Sequence, residues 1–165
     1  MPAGAVARGD CYDTSAVSSF DSLFDGASTM PADVLISFDT QSMTSMDFMF
    51  RGATLWNGPL YLDTSKVTSM QGMFANATAF SQDLSAWDVS KVINFEGMFE
   101  GSALAVSKQA GDVLRACRIH TAWASLNFSW IPHIAGLRIG DETCQAILYT
   151  CLLYTSYAAD DSLRV

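Results

Sequence analysis

Apolar residues recur along the first hundred or so positions in a pattern that repeats four times. Asp13, Asp39, Asp63 and Asp88 mark the origins, 26, 24 and 25 residues apart. Four residues after each origin stand Val17, Met43, Val67 and Val92, and seven after stand Phe20, Met46, Met70 and Phe95. Ten after come Leu23, Met49, Met73 and Met98, and eleven after come Phe24, Phe50, Phe74 and Phe99. Thirteen after come Gly26, Gly52, Asn76 and Gly101. Agreement at this many positions is an internal repeat, and it has to be read before any single element. Apolar steps of three, three and one lie on one face of a short helix. Ser18, Thr44 and Thr68 precede that face and can cap its first N–H groups. The glycines and Asn76 follow it and tolerate the left-handed conformation that ends a helix. The stretch between, as from Ala79 to Trp87, alternates loosely and predicts one or two brief strands. The predicted fold is therefore α/β: a short leucine-rich-repeat-like solenoid with one short helix and brief strands per repeat, followed by an irregular C-terminal segment.

One such unit buries too few large side chains to offset the entropy of ordering it, so the units must stack. The rows from Phe20 to Phe95, Leu23 to Met98 and Phe24 to Phe99 are then the repeat core. A soft methionine-rich binding surface is the other use of such rows. Asp13, Asp39, Asp63 and Asp88 fall into one row of carboxylates. A row of this kind could hold calcium, which favours several oxygen ligands. Its plainer use is a repeat turn, each Asp accepting from nearby backbone N–H groups. Gly26, Gly52, Asn76 and Gly101 complete the turn set. Trp56 and Trp87 fall between helices and could be exposed anchors or structural packing.

The motif Trp87-Asp88-Val89-Ser90-Lys91-Val92, followed by Glu96-Gly97-Met98-Phe99-Glu100-Gly101, resembles the BspA-like leucine-rich-repeat surface proteins. So does Leu62-Asp63-Thr64-Ser65-Lys66-Val67-Thr68-Ser69-Met70-Gln71-Gly72-Met73-Phe74. Ala79 to Trp87 is similar to that family's linker between units. The resemblance covers residues 12–103 and is most specific in the third and fourth repeats. It implies a secreted or surface-anchored solenoid with an adhesion or partner-binding role and no catalytic residues.

Beyond Ala103 the pattern is lost, and four segments are expected. Residues 1–11 are a disordered leader without the apolar core of a signal peptide. Residues 12–103 are the four-repeat solenoid. Residues 104–150 are an irregular or helical segment, with a helical turn around Val113–Cys117; a C-terminal cap of the array is one reading, and an intron or a frame shift is another. Residues 151–165 are expected to be non-native. Cys151-Leu152-Leu153-Tyr154-Thr155-Ser156 and Ala158-Ala159-Asp160-Asp161 resemble a transposase-type sequencing adaptor translated in one frame, with Tyr157 departing from it. Both ends suggest a fragment of a longer surface protein.

Composition narrows the function classes. Half of the 165 residues are hydrophobic and 16% are charged, which is not the profile of a disordered chain. The net charge of -8 lies entirely in the repeats, with twelve acids and four bases up to Ala103 and five of each after it. Such a chain is poorly suited to nucleic acid, which needs clustered Lys and Arg. Four cysteines are too few for a disulfide scaffold and are not at zinc spacing. No stretch reaches about twenty apolar residues, and Ala122–Leu137 carries Asn127, Pro132 and His133, so no membrane insertion is expected.

Enzyme motifs are missing. His120 and His133 have no Glu at metal spacing. Gly136-Leu137-Arg138-Ile139-Gly140 lacks the Lys-Ser or Lys-Thr of a phosphate loop. Cys117 with His120 is the one nucleophile–base pairing by spacing, and a lone Cys near a His is usually incidental. Asn76-Ala77-Thr78 and Asn127-Phe128-Ser129 match the glycosylation pattern. The expected function is a non-catalytic repeat module for protein or cell-surface binding, with no cofactor and no metal. Its candidate binding face comprises Lys66, Thr68, Lys91 and Ile93, which differ between units. The alternative is a structural spacer displaying other domains, and an enzyme in the C-terminal segment ranks behind both. Its location by resemblance is extracellular or at the cell surface. An uncapped array is expected to self-associate end to end.

Overall fold

The computed structural model describes residues 6–8, 11–33, 36–106 and 110–124. Its regular elements are few. Strand β1 (Val6–Arg8) pairs antiparallel with β2 (Cys11–Asp13), and β3 (Ile36–Ser37) pairs parallel with β4 (Leu60–Tyr61). Two helices follow, α1 (Ala103–Val106) and α2 (Ala110–Ala124).

The expected α/β solenoid, with a helix in every unit, is not the fold. Where the helices were expected, each unit makes three successive turns. In the second unit these are closed by Met49 N–H to Met46 C=O, Arg51 N–H to Phe48 C=O and Ala53 N–H to Phe50 C=O. The reason is backbone handedness. Ser22, Phe48, Gly72 and Gly97 have φ of 57°, 57°, 56° and 62°. Four residues later, Gly26, Gly52, Asn76 and Gly101 have φ of 71°, 69°, 57° and 71°. Left-handed residues at this spacing cannot sit in a right-handed helix, but they suit the third position of a type II turn. Overlapping turns, each closed over three residues and starting two after the last, bury apolar side chains at spacings that a helical face shares, which is why the spacing misleads.

The turns bond to one another between units. The N–H groups seven, nine, eleven and thirteen residues after each origin donate to the carbonyls six, eight, ten and twelve after the next. Phe48 thus donates to Gln71 at 2.8 Å, Phe50 to Met73 at 2.9 Å and Gly52 to Ala75 at 2.8 Å. The same register joins the first unit to the second and the third to the fourth. At the start of each turn row a bond runs the other way: Thr44, Thr68 and Ile93 N–H donate to Ser18, Thr44 and Thr68 C=O, beside the parallel bridges Ser19–Ser45, Ser45–Ser69 and Ser69–Asn94.

A single core runs through the stack. Phe50, Phe74 and Phe99 lie parallel, 5.7 and 5.8 Å apart, and Phe24 continues the column 5.2 Å from Phe50. Trp56 stacks on Phe50 at 4.4 Å and Phe80 on Phe74 at 3.9 Å. Helix α2 closes the C-terminal end. Its Ala116, Ile119 and Trp123 join the core, and Trp123 lies 5.5 Å from Phe95 and 6.1 Å from Phe99. Arg115 reaches Ser81 at 3.0 Å, and Arg118 pairs with Asp83 at 2.8 Å.

Candidate functional site

Buried threonines fix the register of the units on the strand side. Thr14 hydroxyl donates to Asp39 C=O and accepts from Asp39 N–H, both at 3.1 Å. Thr40 hydroxyl accepts from Asp63 N–H at 2.6 Å, and Thr64 hydroxyl donates to Asp88 C=O at 2.9 Å. The fourth unit carries Val89 in this place, where no further unit follows among the described residues. The Asp-Thr pairs were present in the sequence, but their inter-unit role was not apparent from spacing.

The aspartate row serves turns. Asp39, Asp63 and Asp88 each accept, through Oδ1, from the N–H two residues on, in Gln41, Ser65 and Ser90, at 3.2, 2.9 and 3.0 Å. The Ser65 hydroxyl, its N–H and the charges of Lys66 and Lys91 hold the Asp63 carboxyl below the usual carboxylate range. The Ser90 hydroxyl and N–H do the same for Asp88, helped by Lys91 and opposed by Asp63. The side chain of Asp13 lies outside the described residues. A second acidic link, which the repeat spacing does not announce, runs between the turns. Asp21 Oδ1 accepts from Ser45 hydroxyl and Asp47 N–H, and Asp47 Oδ1 from Ser69 hydroxyl and Gln71 N–H.

Of the core candidates, Phe20, Met46, Met49, Phe50, Met70, Met73, Phe74, Phe95, Met98 and Phe99 are buried, while Leu23 and Phe24 are half-buried. Trp56 is fully buried, which removes it as an exposed anchor, and Trp87 is half-buried against the core. Gly26, Gly52, Asn76 and Gly101 all hold the left-handed position, and Asn76 is exposed with its side chain over Gly101.

Lys66, Thr68, Lys91 and Ile93 lie in adjacent units and are all exposed, Ile93 to 80%. The Thr68 hydroxyl is turned back to Thr44 C=O at 3.0 Å, and Ile93 N–H bonds Thr68 C=O at 2.8 Å, so the two residues are neighbours across the stack. The lysines share one electrostatic neighbourhood with Asp63 and Asp88. The surface therefore combines two cations, flanking carboxylates and an exposed aliphatic side chain. Elsewhere Arg51 forks onto Asp25 and lies over the Phe48 ring at 4.6 Å. That pairing holds the Asp25 carboxyl below its usual range.

Residues 5–111 match the family described as Mycoplasma protein of unknown function, DUF285. The chain belongs to that family. The DUF285 match takes in all four units, α1 and the first residues of α2. No curated protein and no solved structure matches the chain. Cys117, the candidate nucleophile, is buried and disulfide-bonded, so it has no free thiolate. Among the described residues no group of three or more His, Cys, Asp or Glu is placed to hold a metal, and no helix is long and apolar enough to cross a membrane. The His120 side chain, together with His133, Asn127, Gly136–Gly140 and residues 151–165, lies outside the described residues.

Proposed function

We propose that the DUF285 stack is a non-catalytic binding module of the adhesion type, acting outside the cell, in keeping with the resemblance to BspA-like surface proteins. The observation that carries this reading is the patch formed by Lys66, Thr68, Lys91 and Ile93. Ile93 is exposed to 80% beside two lysines, at a position that the other units fill with Ser18, Thr44 and Thr68. Aliphatic exposure ringed by charge suits contact with a protein or a cell-surface ligand. The disulfide at Cys117 favours an oxidising compartment.

The test is adhesion of the purified, fluorescently labelled chain to cell monolayers, against a labelled unrelated acidic protein of similar size. The full chain is expected to bind above the control, and the triple variant Lys66→Glu, Lys91→Glu, Ile93→Asp is expected to lose at least about tenfold in affinity. Equal binding by the variant and the parent would remove the patch from the proposal. Binding no higher than the control would favour a spacer that displays other domains.

A further inference from the structure

The two ends of the stack differ on the turn side. At the N-terminal end the carbonyls of Ser19, Asp21, Leu23 and Asp25 accept no hydrogen bond among the described residues. They are the first unit's counterparts of the carbonyls that receive N–H groups in the three internal interfaces. Leu23, Phe24 and Met30, beside them, are only half-buried. At the C-terminal end the N–H groups of Phe95, Gly97, Phe99 and Gly101 find no acceptor among the described residues. Phe95 and Phe99 are 1% and 0% exposed, so α2 buries their backbone donors without pairing them. Trp123, on α2 above them, is 1% exposed, and its indole N–H also lacks a partner among the described residues. Helix α2 thus seals the core, and among the described residues these buried donors face no acceptor, an arrangement that is costly.

The strand side is finished at both ends, by the β1–β2 pair at one and by Val89 in place of threonine at the other. Among the described residues the turn side is finished at neither. What would satisfy the donor end is a row of carbonyls at the spacing of the next unit. This chain presents such a row on its own first unit.

We infer that the chain assembles head to tail with a second copy of itself. The carbonyl row of Ser19, Asp21, Leu23 and Asp25 in one copy takes the N–H row of Phe95, Gly97, Phe99 and Gly101 in the other. Phe24 of the incoming copy continues the aromatic column beyond Phe99, and α2 is the cap that competes for this position. Face-to-face pairing of two N-terminal ends is excluded chemically, because acceptor would meet acceptor. A heterologous contact of this kind gives open chains rather than closed dimers. The assembly needs no adhesion ligand and stands independently of the proposed function.

The test is light scattering of the full chain over a concentration series, with substitutions at each end. Trp123→Ala unseats α2 and is expected to tighten association on the order of tenfold or more, because a cap that opens more often leaves more of the competent edge. Adding Phe24→Asp to the same chain is expected to return it to a monomer. Should Trp123→Ala fail to fold, Arg118→Glu loosens α2 by breaking the pair with Asp83, and Asp83→Arg in the same chain re-forms the pair with reversed sign. Association that rises with Arg118→Glu and falls with the double reversal supports the inference. A monomeric Trp123→Ala chain whose α2 amides have lost hydrogen-exchange protection would falsify it. Association that Phe24→Asp leaves unchanged overturns it as well.

Discussion

Glycine carries two different loads in this repeat, and substitution separates them. Gly72 and Gly97 occupy equivalent left-handed positions, with φ of 56° and 62°. A Cβ at Gly97 would meet nothing closer than a Glu100 carboxylate oxygen at 3.4 Å, whereas one at Gly72 would lie 2.6 Å from the Phe48 ring. Gly97→Ala should therefore cost only the handedness penalty, about 1–2 kcal/mol. Gly72→Ala should cost more, about 2–4 kcal/mol, because the ring must also move. Urea denaturation measures both, and the cost of Gly72→Ala in a Phe48→Ala background, where position 48 keeps its handedness penalty but has no ring, should lack the steric part alone. Equal costs at the two glycines would show that the ring yields freely. Phe48 also shows why the second left-handed position could not be read from the sequence. Its row holds Ser22, Phe48, Gly72 and Gly97, and a serine and a phenylalanine hide what two glycines would announce. The row of Gly26, Gly52, Asn76 and Gly101 is chemically uniform, so its backbone role was legible. Acid sensitivity belongs to this scale too. The carboxyls of Asp25, Asp63 and Asp88 are held below their ordinary range by Arg51, Ser65 and Ser90 respectively. Depressed carboxyls contribute stability that is present above the unfolded value and lost as pH falls through the folded one. The melting temperature should thus fall below about pH 4. Asp63→Asn with Asp88→Asn keeps an acceptor for the turn N–H groups and should flatten that slope, by a small amount since these groups are solvent-screened.

At the scale of elements, apolar spacing established the register of the units but not their conformation. Steps of three, three and one are shared by a helical face and by overlapping turns that each close over three residues. Only the backbone partners distinguish them: a helix bonds within itself, whereas these turns send alternate N–H groups to the next unit. Local spacing carries no information about that choice. The strand side was obscure for another reason. Its strands are two or three residues long, and beside the short β3–β4 pair the units are joined there by side-chain hydroxyls. Thr40 is the sharpest case, 2% exposed with its hydroxyl on Asp63 N–H at 2.6 Å. Thr40→Val keeps the shape and removes the acceptor, leaving that N–H unpaired, and should cost about 1–3 kcal/mol. Val89→Thr in the terminal unit is the matched control: it gives a buried hydroxyl no partner unit and should also destabilise. If Val89→Thr stabilised the chain, an acceptor would have to exist beyond the fourth unit. The same comparison bears on the C-terminal segment. Residues 103–124 had no place in the repeat pattern, yet Leu104, Ala116, Ile119 and Trp123 belong to one core with Phe95 and Phe99.

For the whole molecule, stability in a stack is set by position. Each unit touches only its neighbours, so an interior side chain supports two interfaces and a terminal one supports a single interface. Phe74 meets Phe50, Phe80, Trp87 and Phe99, while Phe24 meets Phe38 and Phe50 and is half-buried. Phe74→Ala should cost about 3–5 kcal/mol and Phe24→Ala roughly half as much or less. The difference should also be one of kind. Loss of Phe74 splits the aromatic column between two halves that are each too short to persist, so the whole stack should melt in one transition at lower urea. Loss of Phe24 leaves three units and the α2 cap with their column intact, so only the first unit should open. Native-state hydrogen exchange resolves the two cases. Amides of Ser22, Phe24 and Gly26 donate across a single interface, from the first unit to the second. In the Phe24→Ala chain they should exchange through a low-energy opening that leaves Gly72, Phe74 and Asn76 protected. In the Phe74→Ala chain both sets should converge on one opening energy. Convergence in the Phe24→Ala chain would mean that the first unit cannot open alone, and that coupling along the stack exceeds what contacts between adjacent units supply.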